Sequence, residues 1–324
     1  MATNTTITTA SPNTYLNKTH YDRKLLYFAR TKFVHAKYGQ KRHIPLNGGK
    51  TVEFRRWTPF DPEDAIGGLT EGVTPEGQDL AQTHVEATVK QYGAYVTISD
   101  QLAKTAIDNI EADVPELLGE QLGTVLDWVT RNEMNTGTQV IYAGDATSRA
   151  TVSSTDYLTV EDVRKAVLLL KKKKVRWFNG TENGGKARAS HLICICSPES
   201  THHLQNDEWW KDVSKYQDSE AIYTGEIGKM FGVVFIESTE AMVFAGAGAS
   251  SADVHSTLVF GKDAYGVIDI NGEGSIKSIK HGFGSAGSED ALDQRMTIGA
   301  KIPSFAAKIL DDNWIVRIES GTDL

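Results

Sequence analysis

Two alternating segments, TVEFRRW (51–57) and HVEATVKQYGAYVTI (84–98), enclose TPFDPEDAIGGLTEGVTPEGQDLAQ (58–82). In the first, Val52, Phe54 and Arg56 share one side of a strand. In the second, Val85, Ala87 and Val89 share one face, and Tyr92, Ala94, Val96 and Ile98 share the next. The stretch between them holds three prolines, four glycines and six acidic residues, with no lysine or arginine. Such a composition buries little. The arrangement predicts a long β-hairpin with an extended tip, and an excursion of this length in a folded chain serves contacts or function.

The chain around the hairpin is 324 residues long, 40% hydrophobic and 23% charged. That is enough for one large irregular domain or two ordinary ones. No apolar run approaches the ~20 residues of a membrane helix. The N-terminal MATNTTITTASPNTYL is polar and lacks the apolar core of a secretory signal. Two cysteines, Cys194 and Cys196, cannot build a disulfide framework, and a reducing compartment fits them best.

Charge is unevenly spread. Residues 1–56 hold eleven Lys/Arg against Asp22 and Glu53, a balance of +9, which leaves −17 for the other 268 residues of a chain with net charge −8. A basic arm on an acidic body suits a segment that lies on polyanion or on the acidic surface of a neighbouring copy. A merely solvated basic face explains the composition as well.

Asp22 opens a short helical pattern over 22–37, with Leu25, Leu26, Ala29 and Phe33 on one side. Ser99-Asp100 caps a further helix, and Asp113-Val-Pro-Glu116 restarts the pattern as a capping box. Val114, Leu117, Leu118, Leu122, Val125, Leu126 and Val129 then form an apolar stripe to about residue 135. Another helix is predicted over 159–173 with Val160, Val163, Val167 and Leu170 inward, and a third after the Ser197-Pro198 cap. Strand-like runs are HLICIC (191–196), VVFIES (233–238), STLVFG (256–261), YGVIDI (265–270), SIKSIK (275–280), RMTIGAKI (295–302) and WIVRIE (314–319). An α+β fold follows, with no internal repeat.

Catalytic motifs fail on inspection. GEIGKMFG (225–232) resembles a phosphate loop, but Tyr223 stands where the first glycine belongs and Met230 where a hydroxyl should ligate Mg²⁺. Its glycines also precede a strand, whereas a phosphate loop opens a helix. We expect a flexible glycine connector there, with Lys229 at a surface or subunit contact. GFGSAG (282–287) matches G-x-G-x-x-G, yet too little chain follows for a dinucleotide half, and a surface loop is expected. Cys194 and Cys196, near His202 and His203, match no standard zinc spacing and read as buried apolar side chains. Lys171–Lys174 reads as a solvated helix end. No catalytic, cofactor or metal constellation emerges.

Five segments in order carry a resemblance: VHAKYGQKRHIPLNGGKTVEFRRW (34–57), GGLTEGVTPEG (67–77), KQYGAYVTISDQL (90–102), GEIGKMFGVVFIES (225–238) and LDQRMTIGAKIPSFAAKILDDNWIVRIES (292–320). Together they resemble the major capsid proteins of N4-like tailed bacteriophages, a family similar to the Hong Kong 97 type of capsid fold. The resemblance implies an N-terminal arm (1–49) and an extended hairpin loop (50–91). It further implies a peripheral domain with a long spine helix (92–139 and 278–302) and an axial domain (140–277 and 303–324).

It also implies a non-enzymatic shell protein assembling into hexamers and pentamers of an icosahedral virion around double-stranded DNA. Portal, scaffolding and decoration proteins would be its partners, with assembly in the host cytoplasm. A nanocompartment shell of the same fold is the alternative within the structural class, and a cytosolic nucleotide-binding enzyme the alternative outside it. Leu69, Glu71, Gly72 and Pro75 would lie at the loop tip. Arg55 and Arg56 at its base are expected to bind carboxylates of adjacent subunits, with Glu71 and Glu76 as candidates. Some shells of this fold cross-link through a loop lysine. Here no lysine occurs between Lys50 and Lys90, so a non-covalent shell is expected.

Overall fold

The computed structural model describes residues 34–66, 68, 72, 74, 77–105, 110–179, 182–183, 186–187, 190–214, 226–272 and 274–323. In chain order the first strands are β1 (Gln40–Ile44), β2 (Thr51–Trp57), β3 (Gln82–Thr88) and β4 (Lys90–Ser99). β5 (Val140–Tyr142), a small β6–β7 pair (Glu182–Asn183, Lys186–Ala187) and β8 (Leu192–Cys196) follow. Next come β9 (Glu226–Met230), β10 (Val233–Glu237), β11 (Val243–Phe244) and β12 (Val254–Phe260). The last are β13 (Tyr265–Ile270), β14 (Lys277–His281), β15 (Arg295–Ile309) and β16 (Ile315–Ser320). The helices are α1 (Glu63–Ile66), α2 (Asp100–Thr105), α3 (Ile110–Met134), α4 (Val160–Lys172), α5 (Pro198–Asn206) and α6 (Glu208–Ser214).

The expected hairpin forms, but it is shorter than the alternation suggested. β2 pairs antiparallel with β3 from Thr51 opposite Thr88 to Trp57 opposite Gln82. At Val89, whose amide bonds to Lys50 O at 2.9 Å, the chain leaves the hairpin. β4 then joins a different sheet by pairing with β15, Ser99 opposite Arg295. The change of inward face between Val89 and Tyr92 marks this handover.

β15 is the axis of a five-stranded sheet. It pairs with β4 on one side and with β14 and β13 on the other, and β1 adds parallel to β13. β13 and residues 305–309 therefore belong with this sheet, whereas the resemblance allotted them to the axial unit. Strand alternation alone carries no information about which sheet a strand joins. α3 covers one face: Val114, Leu118, Leu122 and Leu126 pack on Ile98, Met296, Ile298, Ile302 and Phe305.

The other sheet has seven strands in the order β5-β16-β12-β8-β10-β9, with β11 at the side of β12. β8 and β12 are buried at every position. That is why LICIC reads as a continuous apolar run rather than an alternation. Leu192 and Cys194 face α4 and Phe235, while Ile193 and Ile195 face Phe260 and Tyr265. Thr159 and Asp162 close a capping box at the start of α4, whose Val160, Val163, Val167 and Leu170 are inward as expected.

Three local expectations change. α3 is already helical at Ile110, so Asp113 lies in its first turn and Pro115 inside the helix. Asp113 thus complements the helix dipole instead of capping. Leu117, assigned to the inward stripe, is 64% exposed. Residues 35–37 of the 22–37 pattern form a 3₁₀ turn, and residues 22–33 lie outside the described residues.

Candidate assembly surfaces

The β2–β3 hairpin has little core of its own. Val52 and Phe54 pack at its base beside Ala87, Val89 and Ile268. Farther out, Trp57, Phe60, Ile66 and Leu80 are all more than half exposed. A ribbon with apolar side chains in solvent is the signature of a contact surface. Gly72 in the tip has φ +79, and no atom lies within 4 Å of where a Cβ would stand. Leu69, Glu71, Pro75 and Glu76 lie outside the described residues.

The two arginines at the base behave differently. Arg55 donates to Glu53 at 2.9 Å on its own strand. That hydrogen bond holds the Glu53 carboxyl below the usual carboxylate range and raises the guanidinium. Both groups are in solvent, so the pair does little for stability. Arg56 instead crosses to the body, donating to the 8%-exposed Asp311 and lying 5.8 Å from the centre of the Trp314 ring. Arg176 sits 5.7 Å from the same ring. Between hairpin and body opens a cleft of about 730 Å³ bearing Arg42, Arg55, Arg56, Arg176 and Lys308 as well as Glu133, Asp263, Asp311 and Asp312. Within the chain, then, these arginines have carboxylate partners other than Glu71 and Glu76.

Residues 226–232 of GEIGKMFG form a hairpin arm and its turn, not a flexible connector, and Gly225 lies outside the described residues. Glu226–Met230 is β9, and Phe231 and Gly232 turn the chain with φ of 51° and 78° into β10. Two consecutive positive φ values define the tight turn that suits the twist of paired strands. A Cβ on Gly232 would come within 2.9 Å of Trp177. Lys229, half-buried, stands opposite Val234.

Long-range polar pairs escaped the sequence reading, because nothing local marks them. The buried Asp127 of α3 accepts from the amides of Val34 (3.0 Å) and His35 (2.7 Å), and from His35 Nδ1 at 2.6 Å. Tyr265 donates to His35 O, and burial pushes its phenol well above the usual value. Glu319, fully buried, accepts from Arg149 (2.6 and 2.9 Å) and Arg317 (2.7 Å). Trp128 Nε1 donates to Glu240 at 2.6 Å, tying α3 to the seven-stranded sheet's connecting loop.

One cluster imitates a hydrolase. His255 Nδ1 lies 3.1 Å from Ser197 Oγ and 3.7 Å from Glu199. A triad needs nucleophile and carboxylate on opposite ring nitrogens. Here both approach Nδ1, and Ser197 is the buried cap of α5. The arrangement is structural. Both cysteines are buried, and burial raises the Cys194 thiol well above its ordinary range, away from nucleophilic or metal-binding use. Among the described residues no His/Cys/Asp/Glu group could hold a metal ion, and no helix is long and apolar enough to cross a membrane.

The architecture as a whole has known counterparts. A family model described as phage capsid protein matches residues 130–278. The capsid of Ralstonia phage GP4 is similar at a TM-score of 0.68 and 15% identity, over 91% of each chain. The capsid of cyanophage P-SCSP1u gives 0.65 at 13% identity, over 90% of this chain and 89% of that one. A virus-like particle from Pyrococcus furiosus gives 0.50 at 10% identity, over 93% and 99%. No curated protein matches by sequence. The fold is the Hong Kong 97-type phage capsid fold.

Proposed function

We propose that this chain is the major capsid protein of a tailed, N4-like bacteriophage. It is a structural shell protein that self-associates. The observation carrying this reading is the shared fold over nine-tenths of both chains, including a hairpin that projects apolar side chains beyond its own core. A subunit of a closed shell needs contacts on several sides, and projecting elements supply them.

In this reading, hexamers and pentamers build an icosahedral virion shell around double-stranded DNA, assembled in the host cytoplasm with portal and scaffolding proteins. The arm, extended loop, peripheral unit and axial unit follow the ranges of the resemblance, except that β13 and residues 305–309 go with the peripheral sheet. The five-stranded sheet with α3 forms most of the peripheral unit, and the seven-stranded sheet with α4 most of the axial one. Gly72 and the tip around it, Arg55, Arg56 and Lys229 are placed at or near subunit boundaries. The net −17 of the chain beyond residue 56 supports non-specific rather than tight DNA contact.

Likeness to the Pyrococcus furiosus particle favours a nanocompartment shell as the second reading. Electron microscopy and sedimentation of the purified protein test both. Megadalton shells are expected, and a small nucleotide-binding oligomer would overturn the shell reading. Encapsidated DNA in particles from infected cells separates the phage head from the nanocompartment. The shell should run as single-chain bands after boiling in denaturant, since the loop between Lys50 and Lys90 has no lysine to cross-link.

A further inference from the structure

α4 ends on a lysine where the backbone asks for glycine. Val175 N bonds to Leu170 O at 3.1 Å and Lys174 N to Lys171 O at 3.0 Å, the paired bonds that close a helix through a left-handed residue. That residue is Lys174, with φ of 53°. A side chain there strains the backbone, and glycine is the usual occupant for that reason. Buried Val175 and Leu170 already complete the apolar part of this helix end, so packing does not explain the lysine.

Lys174 belongs to a set. Lys171, Lys172, Lys173 and Lys174 are exposed at the end of α4, and exposed Arg176 follows. Lys262 joins them from the turn after β12. Its amide bonds to Arg176 O at 2.8 Å, and a Cβ on Gly261 would collide with the same oxygen. Arg176 is 3.7 Å from Asp263, and Lys171 lies 5.6 Å from the centre of the Trp177 ring. Lys172, Lys173, Lys174 and Lys262 have no carboxylate partner among the described residues. The other end of α4 differs, since Glu161 and Asp162 are paired with Arg164 (2.9 Å) and Lys165 (3.1 Å). The helix dipole favours cations in the last turn, but it accounts neither for a strained lysine nor for Lys262 on another loop.

We infer that this end of α4 binds the phosphate backbone of double-stranded DNA without reading its sequence. Lysine is depleted in protein–protein interfaces, whereas protein–DNA interfaces are strongly positive and draw affinity from displaced counterions. The choice of DNA as the polyanion rests on the phage-head reading. The non-specific DNA contact of that reading is thereby given to a folded surface instead of the basic N-terminal arm.

The test uses the full-length, unassembled chain and a short labelled duplex. About four neutralised phosphates, one for each unpaired lysine, give a slope of about −3.6 in log affinity against log salt. Binding should then be ~150-fold weaker at about 200 mM salt than at about 50 mM. Lys172→Gln, Lys173→Gln, Lys174→Gln and Lys262→Gln together should remove most of that slope and weaken binding at least ~10-fold at the lower salt. Unchanged affinity and slope would overturn the inference and leave the N-terminal arm as the contact. A labelled peptide of residues 58–82, acidic and without lysine or arginine, is the rival ligand. If it binds at the lysines and the duplex does not, the surface takes a neighbouring copy and the inference falls. Lys174→Gly separates charge from fold: it should raise the melting temperature by about 2 °C and take about one unit from the slope. A lowered melting temperature would mean that the lysine serves the helix end, against the inference. Sedimentation of the same preparations scores shell formation separately. Absent shells with intact duplex binding would sink the shell reading and keep this surface.

Discussion

The seven-stranded sheet and the β2–β3 hairpin are built from similar residues and end in opposite environments. β12, VHSTLVF, is buried at all seven positions, whereas β2, TVEFRRW, is exposed at five of seven. β12 has neighbour strands on both edges and core on both faces. The hairpin has one partner strand and packs only at its root. Burial of that kind makes the sheet independently stable, while a two-stranded ribbon owes its order to whatever it touches. The body of the chain holds the fold, and the outer side chains of the hairpin are left in solvent.

The comparison breaks if the sheet tolerates truncation. Phe235→Ala, in the core between the sheet and α4, should cost about 3–5 kcal/mol in urea unfolding. Glu319→Ala should cost a similar 3–5 kcal/mol, because it strands Arg149 and Arg317 beside a buried site. Glu319→Gln, which keeps the shape, should recover part of that loss. A near-neutral result for either would mean that the sheet does not carry the stability.

Arg56→Ala probes the polar fastening of the hairpin to the body, which adds to the apolar root at Val52 and Phe54. Arg56 is 55% exposed, so screening limits the loss to about 1 kcal/mol. Amide exchange in 51–57 and 82–88 should nevertheless rise clearly more than in β12. Equal changes in both regions would deny that Arg56 acts on the hairpin.

Acidity should act on the body. Burial lowers the imidazole pKa of His255 and of His203 below the ordinary 6.5. The unfolded chain then takes up more protons than the folded one. Stability from these groups is full above the ordinary value and is lost as pH falls through the lowered ones. His255→Gln should flatten the decline in melting temperature between pH 7 and 5, and an unchanged slope would remove His255 from the account.

The smallest effect on folding should come from the hairpin's exposed apolar residues. Trp57→Ser and Ile66→Ser should shift unfolding by no more than about 0.5 kcal/mol. Particle yield should fall sharply in the same variants. Normal yield would mean that the hairpin is not an assembly surface.

The sequence alone determined what depends on near neighbours. Alternation in TVEFRRW marked the hairpin, the unbroken HLICIC run a strand, and the period of Val160, Val163, Val167 and Leu170 a helix. Each is set by the period or run of side chains, so local residues suffice. The arrangement of the arginines, the buried acids and the sheets was decided only by tertiary structure. Arg56 meets Asp311, 255 positions away, and Asp127 meets His35, 92 positions away. No local pattern encodes such partners. For the same reason GEIGKMFG looked like a connector until β10 paired with it, since glycine permits both a loop and a strand and only the neighbouring strand chooses between them.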